Sequence, residues 1–396
     1  MRDFFRELWK FFRKGDMVLL ILCLTTSAFG CVVLSSVTNA EKFGDSSRYL
    51  LIQIGATAIG VICYAFMSSI DANFFSEHRF LLVLFNVGML LLLIPFGTDN
   101  NTGNTSWLDF KFLPFFIQPA EICKIFFILT LASVMASRQN RVSHWSSVLP
   151  MVFHLLLIAG VNYLVSDDAG VTLIFVFIFV GMVFAGGINM MWILLGSGSL
   201  AAVSPFIWTY VMSEKQRKRF LVLFDPTLDP LGLDERYHSI RSLKSLTGGG
   251  ILGQGLFNGN RTQAGLLFAQ HTDYVFSSIG EELGYVGCLL VLLLMAAIVA
   301  RCIWVGCQSQ DYMRRLICFG AAAALIFQVI SNVGMCMGVT PVIGLTLPLI
   351  SYGGSSVVTT YAMLGLVSGV FARPAPKSHE RYIRPPLYTI SPKNGR

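Results

Sequence analysis

Long apolar runs alternate with short polar breaks along most of the chain. A helix needs about 20 apolar residues to cross a hydrocarbon core of ~30 Å. Runs of that order fall near 16–37, 50–70, 79–97, 117–136, 147–166, 169–186, 189–212, 274–303, 315–337 and 341–371. The pattern predicts an all-α, polytopic integral membrane protein with ten transmembrane helices. Two connections, Ser166-Asp167-Asp168 and Gly186-Gly187-Ile188, leave room only for tight turns between antiparallel spans. One connection is long, an extracellular loop at 213–272 between spans 7 and 8. Ahead of the first span, Phe4, Phe5, Leu8, Trp9 and Phe12 recur at helical spacing opposite Arg6, Lys10, Arg13 and Lys14. That pattern predicts an amphipathic helix over 1–15 lying in the membrane interface. The apolar run from Met17 exceeds the 7–15 residues of a signal-peptide core, so it reads as a retained span. The transmembrane body is therefore 16–372. The basic, proline-containing tail at 373–396 is expected to be disordered or to touch cytoplasmic partners or anionic lipid.

Composition supports this reading. The chain of 396 residues is 54% hydrophobic and only 13% charged, with mean hydropathy +0.66. That is too little charge to cover a soluble domain. The net charge of +7 does not argue for nucleic acid, because the basic residues are spread over many short loops. The nine cysteines lie in or beside apolar spans apart from Cys307, and no pair has metal-ligand spacing with histidine. They read as small apolar packing residues.

Lys and Arg in the short loops set the orientation. Arg79, Arg138, Arg141, Arg301, Arg314 and Arg315 fall on the side of the two termini, against only Lys42, Arg48 and Lys111 in the short opposite loops. Both termini are thus expected in the cytoplasm. The 213–272 loop breaks the bias with eight basic residues, among them Arg241 and Lys244, but long segments largely escape the rule. It reads either as a solvated loop or as a cationic surface for an anionic ligand, with the glycines of "LTGGGILGQGLFNGN" allowing close backbone approach.

Polar residues at membrane depth fall towards the outer side. They are Glu121 and Lys124 at the start of span 4, Asp167 and Asp168 in the 5/6 turn, Asp273 opening span 8, Asn332 in span 9, and Ser351, Ser355 and Ser356 in span 10. Each has a purely structural alternative: a neutralising pair at 121/124, a helix cap at Asp168, an interhelical hydrogen bond at Asn332, small packing residues in "SYGGSS". Glu281 and Glu282 are expected to bond neighbouring backbone or the loop above them. His154 is expected to be a hydrogen-bonded core histidine. Five coincident placements nonetheless favour an outward, water-accessible cavity that mixes acids with a cation, suited to a substrate with an anionic head and a lipid tail.

The strings "WLDF…IQPAEICK", "HTDYVFSSIGEELGYVG" and "NVGMCMGVTPVIGLTLPLISYGGSS" resemble the signatures of the SEDS family (shape, elongation, division and sporulation). The resemblance covers the chain up to about residue 373. "QHTDYVFS" and "GVTPVIG" are similar to the RodA branch, and "GLTLP" to the FtsW and SpoVE branches. The resemblance implies a peptidoglycan glycosyltransferase that polymerises lipid II outside the cytoplasmic membrane and releases undecaprenyl pyrophosphate. It implies a class B penicillin-binding protein and other elongation-complex proteins as partners. It implies Asp273 as the catalytic acid, the "QPxExxK" pair at Glu121 and Lys124, and the acid of a "PDxGT" motif at Asp168. The chain departs from the family pattern with "SDDAGVT" at that motif, and with Arg241 and Gln254 where glutamine and lysine are common.

The chemistry can also be argued from the substrate. The donor already carries a good leaving group, so the site must supply a base for the acceptor hydroxyl and positive charge for the departing pyrophosphate. Asp273 is the candidate base. Glu121, Lys124, Asp168, Arg241, Lys244, Ser355 and Ser356 are candidates for holding substrate. A divalent cation (Mg2+ or Mn2+) could be held by Glu121 and Asp273. A lipid II transporter would place its site near the midplane on broken helices, and a channel filter prompted by "SYGG" would need a re-entrant segment. The outward acids, and a span 10 long enough to run straight through, argue against both.

Overall fold

A computed structural model describes residues 15–40, 46–98, 105–109, 116–229, 236–267 and 269–373. The interfacial helix expected over 1–15 and the tail lie outside these, apart from Gly15 and Arg373. The described chain is almost entirely helical: α1 Met17–Val37, α2 Ser46–Ser69, α3 Arg79–Leu91, α4 Pro119–Ala136, α5 Trp145–Ser166, α6 Ala169–Ala185, α7 Met190–Phe206, α8 Glu214–Phe224, α9 Tyr237–Gly248, α10 Val275–Gln308, α11 Tyr312–Cys336 and α12 Gly354–Ala372. Gly97–Thr98 and Trp107–Leu108 form a minimal antiparallel pair. Among the described residues nine helical segments are long and apolar enough to cross a membrane, and the 17-residue α6 is a shorter apolar helix.

Local sequence explains most helix ends. Asp16, Asp168, Asn189 and Asp311 each accept a backbone N–H at a helix start. Pro119 opens α4, where its missing N–H costs nothing. The 5/6 turn closes with Asp167 in the left-handed region, at φ 52°.

At one end of the bundle Asp16 is buried and forms a two-point ion pair with Arg301, at 2.8 and 3.0 Å. Arg314 reaches Asp71, and Arg373 caps the carbonyls of Ser68 and Ile70. The core is widely distributed between α4, α6, α10, α11 and α12. α7 stands apart, with no buried residue, and is tied at its ends by Asn189 to Ser143 and by Tyr163 to Val211.

Two spans differ from expectation. Span 10 is not a straight run over 341–371. Residues 339–353 form irregular backbone, and the helix begins only at Gly354. Pro341, Gly344, Pro348 and the Gly353-Gly354 pair break it up. This segment threads through the bundle, where Gly30 of α1 and Gly170 of α6 leave room for it: a side chain there would meet Ile350 Cα at 2.8 Å and Ile343 O at 2.6 Å.

Span 8 is not continuous either. Gly284 has φ 66° and ψ −163°, so α10 is two helices joined at a break. The glycine-rich loop fills that break. Gln254 and Gly255 donate their N–H groups to Glu281 and Glu282 carbonyls, while Tyr285 and Val286 donate to Gly250 and Ile251. The expectation that these glycines admit a ligand is therefore corrected. What their backbone approaches is the chain's own helix.

Candidate active site

The site is built around three consecutive carbonyls, each held by a different donor. His271 O accepts from Tyr352 N at 2.8 Å. Thr272 O accepts from Ser351 Oγ at 2.6 Å, and Asp273 O from Asn332 Nδ2 at 2.8 Å. Asn332 also donates to Leu345 O at 2.6 Å, joining α11 to the irregular segment. The "SYGG" string and Asn332 thus position the "HTD" string. Gln53, which sequence reading passed over, hooks the same turn from α2: it donates to Ser351 O at 3.1 Å and accepts from Gly353 N at 3.3 Å. A lone glutamine in an apolar span is the one signal that could have flagged it.

With its backbone fixed, the Asp273 side chain is half-buried. Its Oδ2 is 3.6 Å from where a side chain on Gly344 would begin. A side chain on Gly170 would begin 2.6 Å from Ile343 O and 3.4 Å from Asp168 Oδ1. Asp168 caps α6 through Val171 N at 3.1 Å and accepts from Ser106 Oγ at 3.3 Å. The cap and a place beside Asp273 are therefore compatible roles. Burial, and then the negative charge of Asp168, push the Asp273 carboxyl up to about 6, against a bond from Thr272. Burial also raises Asp168, opposed by its cap bonds.

Glu121 and Lys124 are buried and paired at 2.8 Å, one helical turn apart. Thr359 Oγ1 donates to Glu121 Oε2 at 3.2 Å. Both carboxylate oxygens thus have protein donors. Thr359 lies one turn after Ser355 and Ser356, and Ser356 Oγ is 3.4 Å from Thr346 Oγ1 of the irregular segment. Hydrogen bonds thus run from Thr346 through Ser356 and Thr359 to Glu121 and Lys124. Ser355 Oγ is buried with no hydrogen-bond partner.

The basic loop residues singled out from sequence are elsewhere. The Arg241 guanidinium covers the Tyr237 ring at 4.0 Å and donates to Leu266 O at 2.7 Å. Lys244 is exposed on α9. Glu281 accepts from Arg261 N, Thr262 N and Thr262 Oγ1 at 2.8, 3.0 and 2.8 Å. Glu282 accepts from Ser36 Oγ at 2.6 and 2.8 Å and from Gln263 at 2.8 Å. Both acids thus bond loop and helix neighbours as expected. His154 bonds Thr130 Oγ1 at 2.8 Å and stacks on Phe127, as a core histidine would. Among the described residues no three His, Cys, Asp or Glu side chains converge as a metal cluster.

Comparison with known proteins now decides the lineage. The profile of the FtsW/RodA/SpoVE family, described as cell cycle proteins, matches residues 16–373. The chain belongs to this family. Among SEDS relatives, the peptidoglycan glycosyltransferase MrdB of Escherichia coli K12 is 30% identical over 359 residues, covering 90% of this chain and 93% of that one. A probable peptidoglycan glycosyltransferase FtsW of Geobacter metallireducens is 31% identical over 365 residues, covering 91% and 95%. Among solved SEDS structures, the rod shape determining protein RodA of Thermus thermophilus matches with TM-score 0.66 at 26% identity, covering 91% of this chain and 98% of that one. A chain of a peptidoglycan synthase complex, solved to show the structural coordination of polymerization and crosslinking, matches with TM-score 0.75 at 29% identity, covering 93% and 99%.

Proposed function

We propose that this chain is an elongation-type peptidoglycan glycosyltransferase that polymerises lipid II into glycan strands. The observation that carries the reading is the fixed "HTD" backbone, which holds one half-buried carboxylate of raised pKa. Asp273 takes the proton of the acceptor hydroxyl as its oxygen bonds to the anomeric carbon of the donor. The bond from that carbon to pyrophosphate breaks, and undecaprenyl pyrophosphate departs with the electron pair. One base and direct displacement give inversion.

Asp168 and Asp273, close enough for the charge of one to act on the other, would hold a divalent cation whose shell water completes. Mg2+ characteristically binds that way, through one or two carboxylates. The cation would supply charge neutralisation. Glu121, Lys124, Ser355 and Ser356 would help to hold the substrate.

The arginine-rich end marked by Arg301, Arg314 and Arg373 is the cytoplasmic one, which puts Asp273 and the 213–272 loop outside. A cysteine at exposed Lys244, in a background lacking the native nine, should react with an impermeant maleimide on intact cells. Labelling only after lysis would reverse the orientation. The partner is a class B penicillin-binding protein, in line with the crosslinking named for the synthase complex that this fold matches.

The deciding experiment is polymerisation of purified lipid II by wild type, Asp273→Ala and Asp273→Asn, each with the partner. Loss of a general base predicts a fall of about 10²–10⁴-fold at normal expression. Glycan chains of wild-type length from Asp273→Asn would remove the assignment. A lipid transporter remains the alternative reading if no variant or wild-type preparation polymerises.

A further inference from the structure

A cavity of about 140 Å³ lies between α8, α9 and the turn that follows α11. Its lining joins two guanidiniums and a hydroxyl, Arg219, Arg236 and Ser239, to apolar side chains that include Val222, Leu243 and Met337. Neither arginine was singled out from the sequence, where both were lost among the eight basic residues of the loop. The two are braced by the protein. Arg219 Nη1 donates to Val342 O at 3.3 Å. Arg236 donates its backbone N–H to Asp229 Oδ2 at 3.1 Å and its Nη1 to Asp229 O at 3.3 Å. A guanidinium carries five N–H donors in a planar fork that matches phosphate oxygens, so a braced arginine can still present a face to an anion.

Size and position narrow the ligand. The volume is well below the ~300–1,000 Å³ of pockets for drug-sized molecules. It admits a small polyanion, while the rest of a larger ligand must lie outside. Leu243 and Met337 are 46% and 51% exposed and give that remainder an apolar way out. Val342 lines the cavity, and two residues along the chain Gly344 meets Asp273. Two residues span at most ~7 Å. In a displacement at the anomeric carbon, the incoming hydroxyl and the leaving group sit on opposite sides of that carbon. A base and an anion site joined by one short stretch of backbone fit that demand.

The geometry points to this cavity as the seat of the lipid pyrophosphate that leaves the donor, with Arg219 and Arg236 binding the diphosphate and the apolar rim taking the first prenyl units. The assignment rests on the polymerase reading for its role, but binding is measurable without catalysis. As the bond from the anomeric carbon to oxygen breaks, the electron pair goes to the pyrophosphate, whose charge the two guanidiniums neutralise.

The probe is farnesyl pyrophosphate, a short polyprenyl pyrophosphate, titrated into the purified full-length protein in detergent and followed by calorimetry and thermal shift. Arg219→Gln and Arg236→Gln should each weaken binding at least tenfold. Leu243→Trp, which narrows the cavity and leaves both arginines in place, should weaken it too, and it decides the matter if an arginine variant does not fold. Gly250→Ala, which does not line the cavity, should bind as wild type does. If Asp273→Asn polymerised normally, the polymerase reading would fall while the binding titration still judged the cavity. Wild-type affinity in folded arginine variants and in Leu243→Trp would overturn the assignment. So would equal binding of farnesol, which lacks the anion, or inorganic pyrophosphate binding as tightly as the farnesyl compound, which would make this a site for free phosphate.

Discussion

Gly284→Ala should be among the most damaging single-methyl additions in the molecule. At φ 66° and ψ −163° the backbone is in a region essentially closed to residues with a side chain, and forcing one there costs about 1–3 kcal/mol. The added Cβ would also lie 2.3 Å from Gly253 N and 2.4 Å from Ile251 O. Both atoms belong to the loop that fills the break, so the loop must retreat. Four backbone hydrogen bonds hold it there: Gln254 and Gly255 donating to 281 and 282, Tyr285 and Val286 donating to 250 and 251. At about 0.5–1.5 kcal/mol each, their loss adds on the order of 2–6 kcal/mol. The sum, roughly 3–9 kcal/mol, is comparable with the ~5–15 kcal/mol of a whole domain.

The control is Gly250→Ala in the same loop. Gly250 also has positive φ, 58°, but nothing lies within 4 Å of its absent side chain. It should lose only the left-handed penalty, about 1–2 kcal/mol. Melting temperatures of the two purified variants in one detergent, with lipid II polymerisation alongside, separate the effects. Gly284→Ala should unfold far earlier and lose activity, while Gly250→Ala stays near wild type. Equal melting temperatures would show that the loop is not wedged into the helix break, and the account of α10 would fail.

Three further outcomes follow from the site. Glu281→Gln and Glu282→Gln keep shape and acceptor oxygens, so each should retain substantial polymerisation and lose mainly melting temperature, about 1–3 kcal/mol; a variant as stable as wild type and as inactive as Asp273→Asn would place that glutamate in the chemistry. The charge swap Glu121→Lys/Lys124→Glu should polymerise as poorly as Glu121→Ala, because it reverses the charges at the start of α4 and facing Thr359; near-normal strands from the swap would reduce the pair to mutual neutralisation. Asp273 must be ionised to act as a base, so activity should rise with pH through about 6, and Asp168→Asn, still a competent helix cap, should move that limb to lower pH by removing a neighbouring negative charge. A limb that stays put or moves up would dissociate the two carboxylates. The raised value also means that the folded state holds the Asp273 proton better than the unfolded chain does. Ionisation as pH climbs towards 6 therefore costs stability, and Asp273→Asn should melt higher than wild type at neutral pH.

Which parts were legible follows from the physics each signal reports. Hydropathy reports length and polarity, so it found the helices of α1 to α7 and α11 to within a few residues. It could not report φ, and an apolar sequence broken at Gly284 reads like an unbroken one. It also drew 341–371 as one span, because Pro341, Gly344 and Pro348 sit among residues as apolar as any helix. The acids were found because charge at membrane depth is rare. Gln53, which holds the turn beside them, was not, because a lone glutamine declares its role only once distant segments meet.

The two misread spans and the misread glycines share a cause. Backbone that leaves the helix at membrane depth has no water to bond to and must find partners inside the protein. At Gly284 those partners are the loop carbonyls and amides of 250–255, and the same glycines that suggested a ligand site are small enough to reach them. In the 339–353 segment, Asn332, Gln53 and Ser351 fill the partner role. Asp273 lies between these two interruptions, with its carbonyl bonded to Asn332 and the helix that follows it running only nine residues, 275–283, before the Gly284 break. The irregular backbone is therefore what holds the carboxylate in place, and the proline and glycine clusters around it were the sequence's nearest sign of where the site is.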